Sequence, residues 1–147
     1  MSDWHAHLLS SPAQIAALLQ TVRTVAVLGI KTEAQSGQPA FYVPEYCVKA
    51  GLTVIPVPVY YPDVTEILGQ NVYRSVASIA GNVDLVNVFR KSSDVSPHVD
   101  DILAKKPRAV WLQQGIRDDV SAEKWARAGI DVVQDRCLMV ELQRIGR

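Results

Sequence analysis

The residues of this sequence best suited to chemistry follow the apolar run Val25–Leu28. Gly29 ends that run, and Lys31 and Thr32 then offer side-chain donors. A helix that begins at Pro39, a residue suited to the first helical position, would point its free N–H groups and the positive end of its dipole at this turn. The turn is therefore predicted to hold an anion, and phosphate is a group that such a site binds.

The same stretch lacks the signature of a nicotinamide dinucleotide site. The next glycine after Gly29 is Gly37, so G-x-G-x-x-G is absent, and no Asp or Glu follows the second apolar run, Leu52–Val57. Pro56 and Pro58 stand there instead. An ordinary strand–helix–strand crossover with a tight turn also accounts for the pattern. If this stretch is a binding site, its residues favour a phosphate-bearing ligand whose adenosine lies on an apolar, proline-lined wall.

Two later loops carry further polar groups. Arg90 and Lys91 follow the apolar run that ends at Phe89, and their charges suit a phosphate, although a solvated charge pair has the same pattern. Gln113 and Gly115 follow the next apolar run and suit a polar ligand arm, although a plain strand-to-helix turn would also contain them.

Cys137 is the remaining candidate for chemistry. Arg136 or a helix N-terminus could activate it as a nucleophile, and the alternative is a structural cysteine or one that lies near a ligand thiol. No Ser-His-Asp set, zinc spacing or P-loop is visible. We therefore assign no catalytic residue and no metal ligand.

Composition restricts the class of protein. The chain has 147 residues, equal numbers of acidic and basic side chains, and two cysteines without metal or redox spacing. Zero net charge argues against nucleic-acid binding and removes one barrier to self-association, so a homo-oligomer or a protein partner stays open. We see no signal peptide and no membrane-spanning run, so we expect a reduced, cytoplasmic protein.

Apolar runs alternate with helical patterns along the whole chain. This predicts an α/β fold, a doubly wound parallel sheet of about five or six strands, Rossmann-like and in a single domain. Residues 1–22 are predicted to form a lead-in and a covering helix of that domain, and residues 23–147 its Rossmann-like part. In such folds the ligand lies at the carboxyl ends of the strands, where the loops after the first and fourth strands face each other.

Some local features are less regular. Pro44 conflicts with a regular helix from Pro39, so that helix either bends or begins later. A very short strand is predicted at Val72–Tyr73 and a short helix from Ser75 to Ile79. Asp135 is predicted to cap the last helix.

With these residues assembled, the chain resembles the small single-domain CoA-binding proteins, free-standing relatives of the CoA-binding domain of the succinyl-CoA synthetase α subunit. The resemblance extends over about 24–145. It is carried by AVLGI (26–30), QPAFYVPEY (38–46), GLTVIPV (51–57), VDLVNVFR (83–90), VWLQQGIR (110–117) and DRCLMVEL (135–142).

The resemblance implies a Rossmann-like fold that binds coenzyme A or an acyl-CoA. It implies a diphosphate site at Gly29, Ile30, Lys31, Thr32, Pro39 and Ala40, with Gln38 where many relatives carry a basic residue. It implies adenosine contacts at Pro56 and Val57 and further ligand contacts at Phe89, Arg90, Gln113 and Gly115. The second domain and phosphohistidine segment of the synthetase are absent, so the ligase activity does not transfer.

The sequence therefore leads to three hypotheses. The first is a CoA or acyl-CoA binding module without catalysis of its own, acting as a carrier, a sensor or a subunit. The second is an enzyme that uses a CoA thioester, with Cys137 as nucleophile, or a nicotinamide cofactor. The third is an interaction protein whose nucleotide pocket is vestigial.

Overall fold

The computed structural model of the chain describes residues 3–147. The helices within them are α1 (Pro12–Thr21), α2 (Pro39–Lys49), α3 (Val99–Lys105), α4 (Asp119–Arg127) and α5 (Leu138–Arg144). The strands are β1 (Thr24–Leu28), β2 (Thr53–Val57), β3 (Glu66–Ile67), β4 (Gln70–Asn71), β5 (Leu85–Val88), β6 (Ala109–Leu112) and β7 (Asp131–Val133). Within the described residues we find no helix whose length and apolar character would carry it through a bilayer.

Five strands form one parallel sheet in the order β2-β1-β5-β6-β7. The chain adds β2 on one side of β1 and then crosses to add β5 on the other side, so the strand order reverses between β1 and β5. The predicted fold class, a doubly wound α/β sheet in a single domain, is therefore confirmed.

Both faces of the sheet are covered by helices. Val25 and Val27 of β1 pack in the cluster that includes residues of α1, α2 and α5, while Ala26 and Leu28 pack in the cluster that includes residues of α3 and α4. Successive side chains of a strand point to opposite faces, which explains this alternation. Because both faces are buried, the strands are continuous apolar runs in the sequence.

The segment after β2 differs from the prediction. β3 and β4 form a small antiparallel hairpin, so the short strand predicted at Val72–Tyr73 lies instead at Gln70–Asn71. The Tyr73 N–H donates to the Pro56 carbonyl at 2.9 Å. The chain after the hairpin thus covers part of the outer edge of β2.

The short helix predicted from Ser75 to Ile79 does not form; bends and a turn replace it. The N–H groups of Val76 and Ala77 donate to the Asp101 carboxylate at 2.7 and 2.9 Å. A segment this short closes too few helical hydrogen bonds to offset the cost of nucleation. A side chain from α3 therefore fixes this turn through two of its backbone N–H groups.

The lead-in before α1 lies along β7, the other edge strand. The Leu9 N–H donates to the Val132 carbonyl at 2.8 Å, and His7 Nδ1 lies 2.8 Å from Asp131 Oδ1. These contacts hold the lead-in against the sheet and place it beside the carboxyl end of β7.

Candidate functional site

The carboxyl ends of β2, β1 and β5 lie side by side where the strand order reverses, and Gly29 follows the middle strand. A crevice is expected beyond the strands at this point. Gly29 has a φ of +86°, and its N–H donates to the Val57 carbonyl at 2.9 Å. A Cβ on Gly29 would lie 2.3 Å from the Phe89 carbonyl oxygen, so only glycine allows this approach. The loops after β1 and β5 therefore adjoin, as the sequence predicts.

Thr32 does not offer a free hydroxyl to this crevice. Gln35 Oε1 accepts hydrogen bonds from the Thr32 N–H at 3.0 Å and from the Thr32 hydroxyl at 2.7 Å. With the bond from the Ala34 N–H to Thr32 Oγ1, these contacts form a capping box at a 3-10 turn, Glu33–Gln35. Thr32 thus shapes the loop. The sequence pattern Thr-x-x-Gln, which is typical of a capping box, could have predicted this role.

The start of α2 has fewer free backbone N–H groups than the four that the first turn of a helix usually leaves. α2 begins at Pro39, as predicted, with Gln38 as N-cap and no side-chain cap. The N–H groups of Gln38 and Phe41 already donate to backbone carbonyls, and Pro39 has none. Within residues 3–147, the N–H groups of Ala40 and Ile30 have no acceptor. These two amides are backbone donors near the start of α2 that the carbonyls of the protein leave free.

Pro44 explains how the loop after β1 is fixed to α2. Proline has no N–H to donate to the carbonyl of Ala40, four residues earlier. The Lys31 N–H donates to that carbonyl instead, at 3.1 Å. The helix runs from Pro39 to Lys49 with Pro44 inside it, so it does not begin later. The carbonyl that Pro44 leaves free ties the loop to the first turn of α2.

Arg90 lies just beyond β5 with a side chain that is 16% exposed. Its Nη1 lies 3.4 Å from the Tyr60 hydroxyl, its Nη2 lies 3.9 Å from an Asp94 carboxylate oxygen, and its Cζ lies 5.6 Å from the Tyr60 ring centroid. Its Nε is buried and has no partner within residues 3–147. A buried N–H without an acceptor is costly, and an anion bound beside this guanidinium would supply the missing acceptor.

Tyr60 is a residue of this crevice that the sequence analysis missed. Its side chain follows the proline-rich end of β2, and the residue is 61% exposed beside Arg90. An aromatic residue next to the predicted adenosine wall was the available signal.

His98 does not add a positive charge beside Arg90. Burial lowers the pKa of His98 from its usual value, and the charge of Arg90 lowers this pKa further, while Asp101 and Asp94 act in the opposite direction. The imidazole is therefore neutral at pH 7. The positive charge at the end of β5 comes from Arg90 and the exposed Lys91.

Pro56 and Val57 end β2 at the edge of the sheet, where a proline is tolerated because fewer ladder bonds are required. Val57 is 1% exposed, and Pro56 and Pro58 are also buried. The residues predicted to form an apolar wall are therefore packed into the protein, and no carboxylate stands among them. Contact between this wall and a ligand remains a prediction.

Gln113 turns its side chain into the protein and is 3% exposed. Its Oε1 accepts hydrogen bonds from Asn87 Nδ2 and from the Leu138 N–H, each at 3.3 Å. Asn87 is fully buried, and its Oδ1 has no partner within the described residues. The sequence analysis missed Asn87, although a polar residue inside an apolar run was a signal. Direct contact of Gln113 with a ligand remains a prediction.

Gly115 is exposed, with a φ of +86°, and its N–H donates to the Asp135 carboxylate at 2.6 Å. The predicted capping of α5 by Asp135 is therefore wrong, because that carboxylate binds Gly115 and the N-cap is Cys137. The Asp135 N–H also donates to the Ile116 carbonyl at 3.1 Å. These bonds join the loops after β6 and β7.

A family model described as a CoA binding domain matches residues 23–143. The chain belongs to this CoA-binding domain family. The match covers all five strands of the parallel sheet and every loop described above.

Individual proteins are similar to this chain over most of its length. The uncharacterized protein YneT of Bacillus subtilis is 29% identical over 130 residues, which are 88% of this chain and 93% of that protein. A Thermus thermophilus protein called cell-free ID.343 is 37% identical with a TM-score of 0.83, over 92% of this chain and 99% of that one. An acetyl-coenzyme A synthetase from Ca. Korarchaeum cryptofilum shares the fold, with 17% identity and a TM-score of 0.63, over 80% of this chain and 27% of that one.

The two cysteines of this CoA-binding domain lie in different environments. Cys47 of α2 is fully buried, and burial raises the pKa of its thiol to about 12, with a smaller contribution from Cys137. Cys137 is partly exposed at the start of α5. Within residues 3–147 it has no hydrogen bond to a histidine, so no thiol–imidazole pair forms.

Pro44→Ala should separate the stability of α2 from the order of the loop after β1. Alanine restores the helical N–H and removes the ring clash, so the free energy of unfolding in urea should rise by about 1–3 kcal/mol. The Ala40 carbonyl then turns back to the helix, and hydrogen exchange of the Lys31 amide should accelerate about tenfold or more. Pro107→Ala, at a buried proline beyond α3, serves as the control. An unchanged exchange rate of the Lys31 amide would contradict a loop held to α2 by the hydrogen bond from Lys31 to the Ala40 carbonyl.

Thiol titration should distinguish the two cysteines. At pH 8 a thiol with a pKa of about 12 holds almost no thiolate, so an aromatic disulfide reagent should label Cys137 quickly and Cys47 only after denaturation. Cys137→Ser should remove the fast phase. Rapid labelling of two thiols in the native protein would show that the reagent reaches Cys47 without denaturation.

Proposed function

We propose that this chain binds CoA or an acyl-CoA as a small-molecule ligand and acts as a carrier, a sensor or a subunit, without catalysis of its own. The observation that carries the proposal is the guanidinium of Arg90. It is largely buried, it has an unused N–H donor, and it lies where the strand order reverses in a CoA-binding domain.

In this proposal the diphosphate lies between the loop after β1 and Arg90. The free N–H groups of Ile30 and Ala40 act as backbone donors, and Lys31 supplies a second cation. Gly29 allows the loops after β1 and β5 to adjoin, because it has no side chain. Thr32, Gln38, Pro39 and Phe89 shape the surrounding loops.

The adenosine is proposed to lie against the buried ends of Pro56 and Val57, with the Tyr60 ring available for stacking. The arm of CoA then runs in the other direction along the carboxyl ends of the strands, past Gln113 and Gly115. This orientation places each predicted contact along one continuous edge of the sheet.

The non-catalytic part of the proposal is supported by Cys137, which has no histidine partner within residues 3–147. We also infer a reducing, cytoplasmic setting, because both cysteines are free thiols.

Calorimetry with CoA, dephospho-CoA and NAD tests the ligand. CoA should bind more tightly than NAD, because no carboxylate follows β2 to hold the ribose hydroxyls of a dinucleotide. At 100 times its dissociation constant, CoA should stabilise the fold by about 2.7 kcal/mol. The proposal fails if NAD binds more tightly than CoA, or if none of the three binds.

Arg90→Ala should weaken CoA binding about 10- to 100-fold, because a charged hydrogen bond contributes about 1.5–3 kcal/mol. Arg108→Ala is the matched control: it removes the same charge at the amino ends of the strands, where Arg108 lies 3.9 Å from Asp84. Its dissociation constant for CoA should stay at the wild-type value. An unaltered constant for Arg90→Ala would remove Arg90 from the site.

A further inference from the structure

The loop between β2 and β3, residues 58–65, carries Tyr60, whose side chain contacts Arg90. A later segment of the chain returns to this loop. After the β3–β4 hairpin, the Tyr73 N–H donates to the Pro56 carbonyl at 2.9 Å, which brings the chain back to the end of β2. Arg74 is the next residue, so its side chain starts beside the loop that carries Tyr60.

The guanidinium of Arg74 binds three backbone carbonyls of this loop. Its Nη1 donates to the Tyr60 carbonyl at 3.0 Å, and its Nη2 donates to the carbonyls of Tyr61 and Val64, each at 2.8 Å. Within residues 3–147 these carbonyls, and no carboxylate, accept its hydrogen bonds. A planar guanidinium holds several acceptors at fixed angles, which a single ammonium group does not. The shape of the Arg74 side chain, and not only its charge, therefore suits this loop.

The backbone of the loop needs such support. Tyr61 has a φ of +62°, which is rare for a bulky side chain, and it precedes Pro62, which disfavours helical backbone angles in the residue before it. The Tyr61 carbonyl also accepts the Val64 N–H at 3.1 Å. Unfavourable backbone angles persist where the surrounding contacts enforce them, and the bonds from Arg74 are such contacts.

Tyr60 connects this loop to the basic group of the proposed ligand site. Its carbonyl accepts from Arg74, and its hydroxyl lies 3.4 Å from Arg90 Nη1. The Arg90 Cζ lies 5.6 Å from the ring centroid, within the range of a cation–π contact. Because Tyr60 is 61% exposed, packing in the core does not fix its ring. The ring is held against Arg90 through the backbone of its own loop.

We propose that Arg74 is a positioning residue of the CoA site. It holds the loop after β2 so that the Tyr60 ring lies against the Arg90 guanidinium before the ligand arrives, and it acts on CoA through Tyr60 and not by direct contact. The inference rests on the proposed function and deepens it by naming how the basic group is ordered in advance, which lowers the entropic cost of binding.

Calorimetry with CoA on two Arg74 variants tests the inference. Arg74→Ala should weaken CoA binding about fivefold or more, and Arg74→Lys should weaken it almost as much, because lysine keeps the charge and loses the planar fork. Arg108→Ala is the matched control, since Arg108 is also exposed and donates to a backbone carbonyl, that of Thr21 at 3.4 Å. It should leave the dissociation constant at the wild-type value.

The outcomes separate the inference from the proposed function. If the wild-type protein binds CoA and neither Arg74 variant alters the affinity, Arg74 has no positioning role and the proposed function stands. Wild-type affinity in Arg74→Lys, with a loss in Arg74→Ala, would show that charge alone matters and would also overturn the inference. Absence of CoA binding by the wild-type protein refutes both. Arg74→Lys carries the test if Arg74→Ala does not fold.

A double variant tests whether Arg74 acts through Tyr60. Tyr60→Ala should weaken CoA binding, and adding Arg74→Ala should cause no further loss, whereas independent residues would multiply their effects. In the protein without ligand, hydrogen exchange of the Val64 amide should accelerate in both Arg74 variants, because the turn that this amide closes loses its support. Multiplied losses in affinity, or an unchanged exchange rate at Val64, would contradict the positioning role.

Discussion

The close approach of Gly29 to the Phe89 carbonyl sets the geometry on which the rest of this site depends. Two parallel strands separate at this point, and the loops that follow them share a space too small for a Cβ. The same approach places Arg90 beside Tyr60 and buries its Nε. A basic side chain is thereby partly withdrawn from water before any ligand arrives.

The loop after β1 is fixed by hydrogen bonds that a regular helix would not leave available. Pro44 frees the Ala40 carbonyl for the Lys31 N–H, and Gln35 binds both polar groups of Thr32. The loop is therefore ordered by its own contacts. A loop ordered in advance reduces the entropy that binding must overcome, which favours recognition of a ligand by backbone amides.

Much of the fold and part of the site followed from local patterns. The apolar runs predicted the strands because both faces of the sheet are buried, and Pro39 marked the start of α2 through its fixed φ and missing N–H. The helix expected at Ser75–Ile79 does not form, and the N–H groups of Val76 and Ala77 there bind Asp101, a residue distant in the sequence. The role of Asp135 was also wrongly predicted, because its carboxylate accepts from Gly115, which is distant in the sequence as well.

The sequence by itself determined the class of fold, the glycine turn, the wall of prolines and the lack of a carboxylate for a dinucleotide ribose. These features depend on residue types and on neighbours within a few positions. Only the tertiary structure decided which polar groups lack partners within residues 3–147, as for Arg90 and Asn87, and which are hydrogen-bonded, as for Thr32 and Gln113. The hydrogen bonds and the burial of a polar group depend on segments that are distant in the chain and meet only when the sheet forms. Local patterns in the sequence therefore do not specify them.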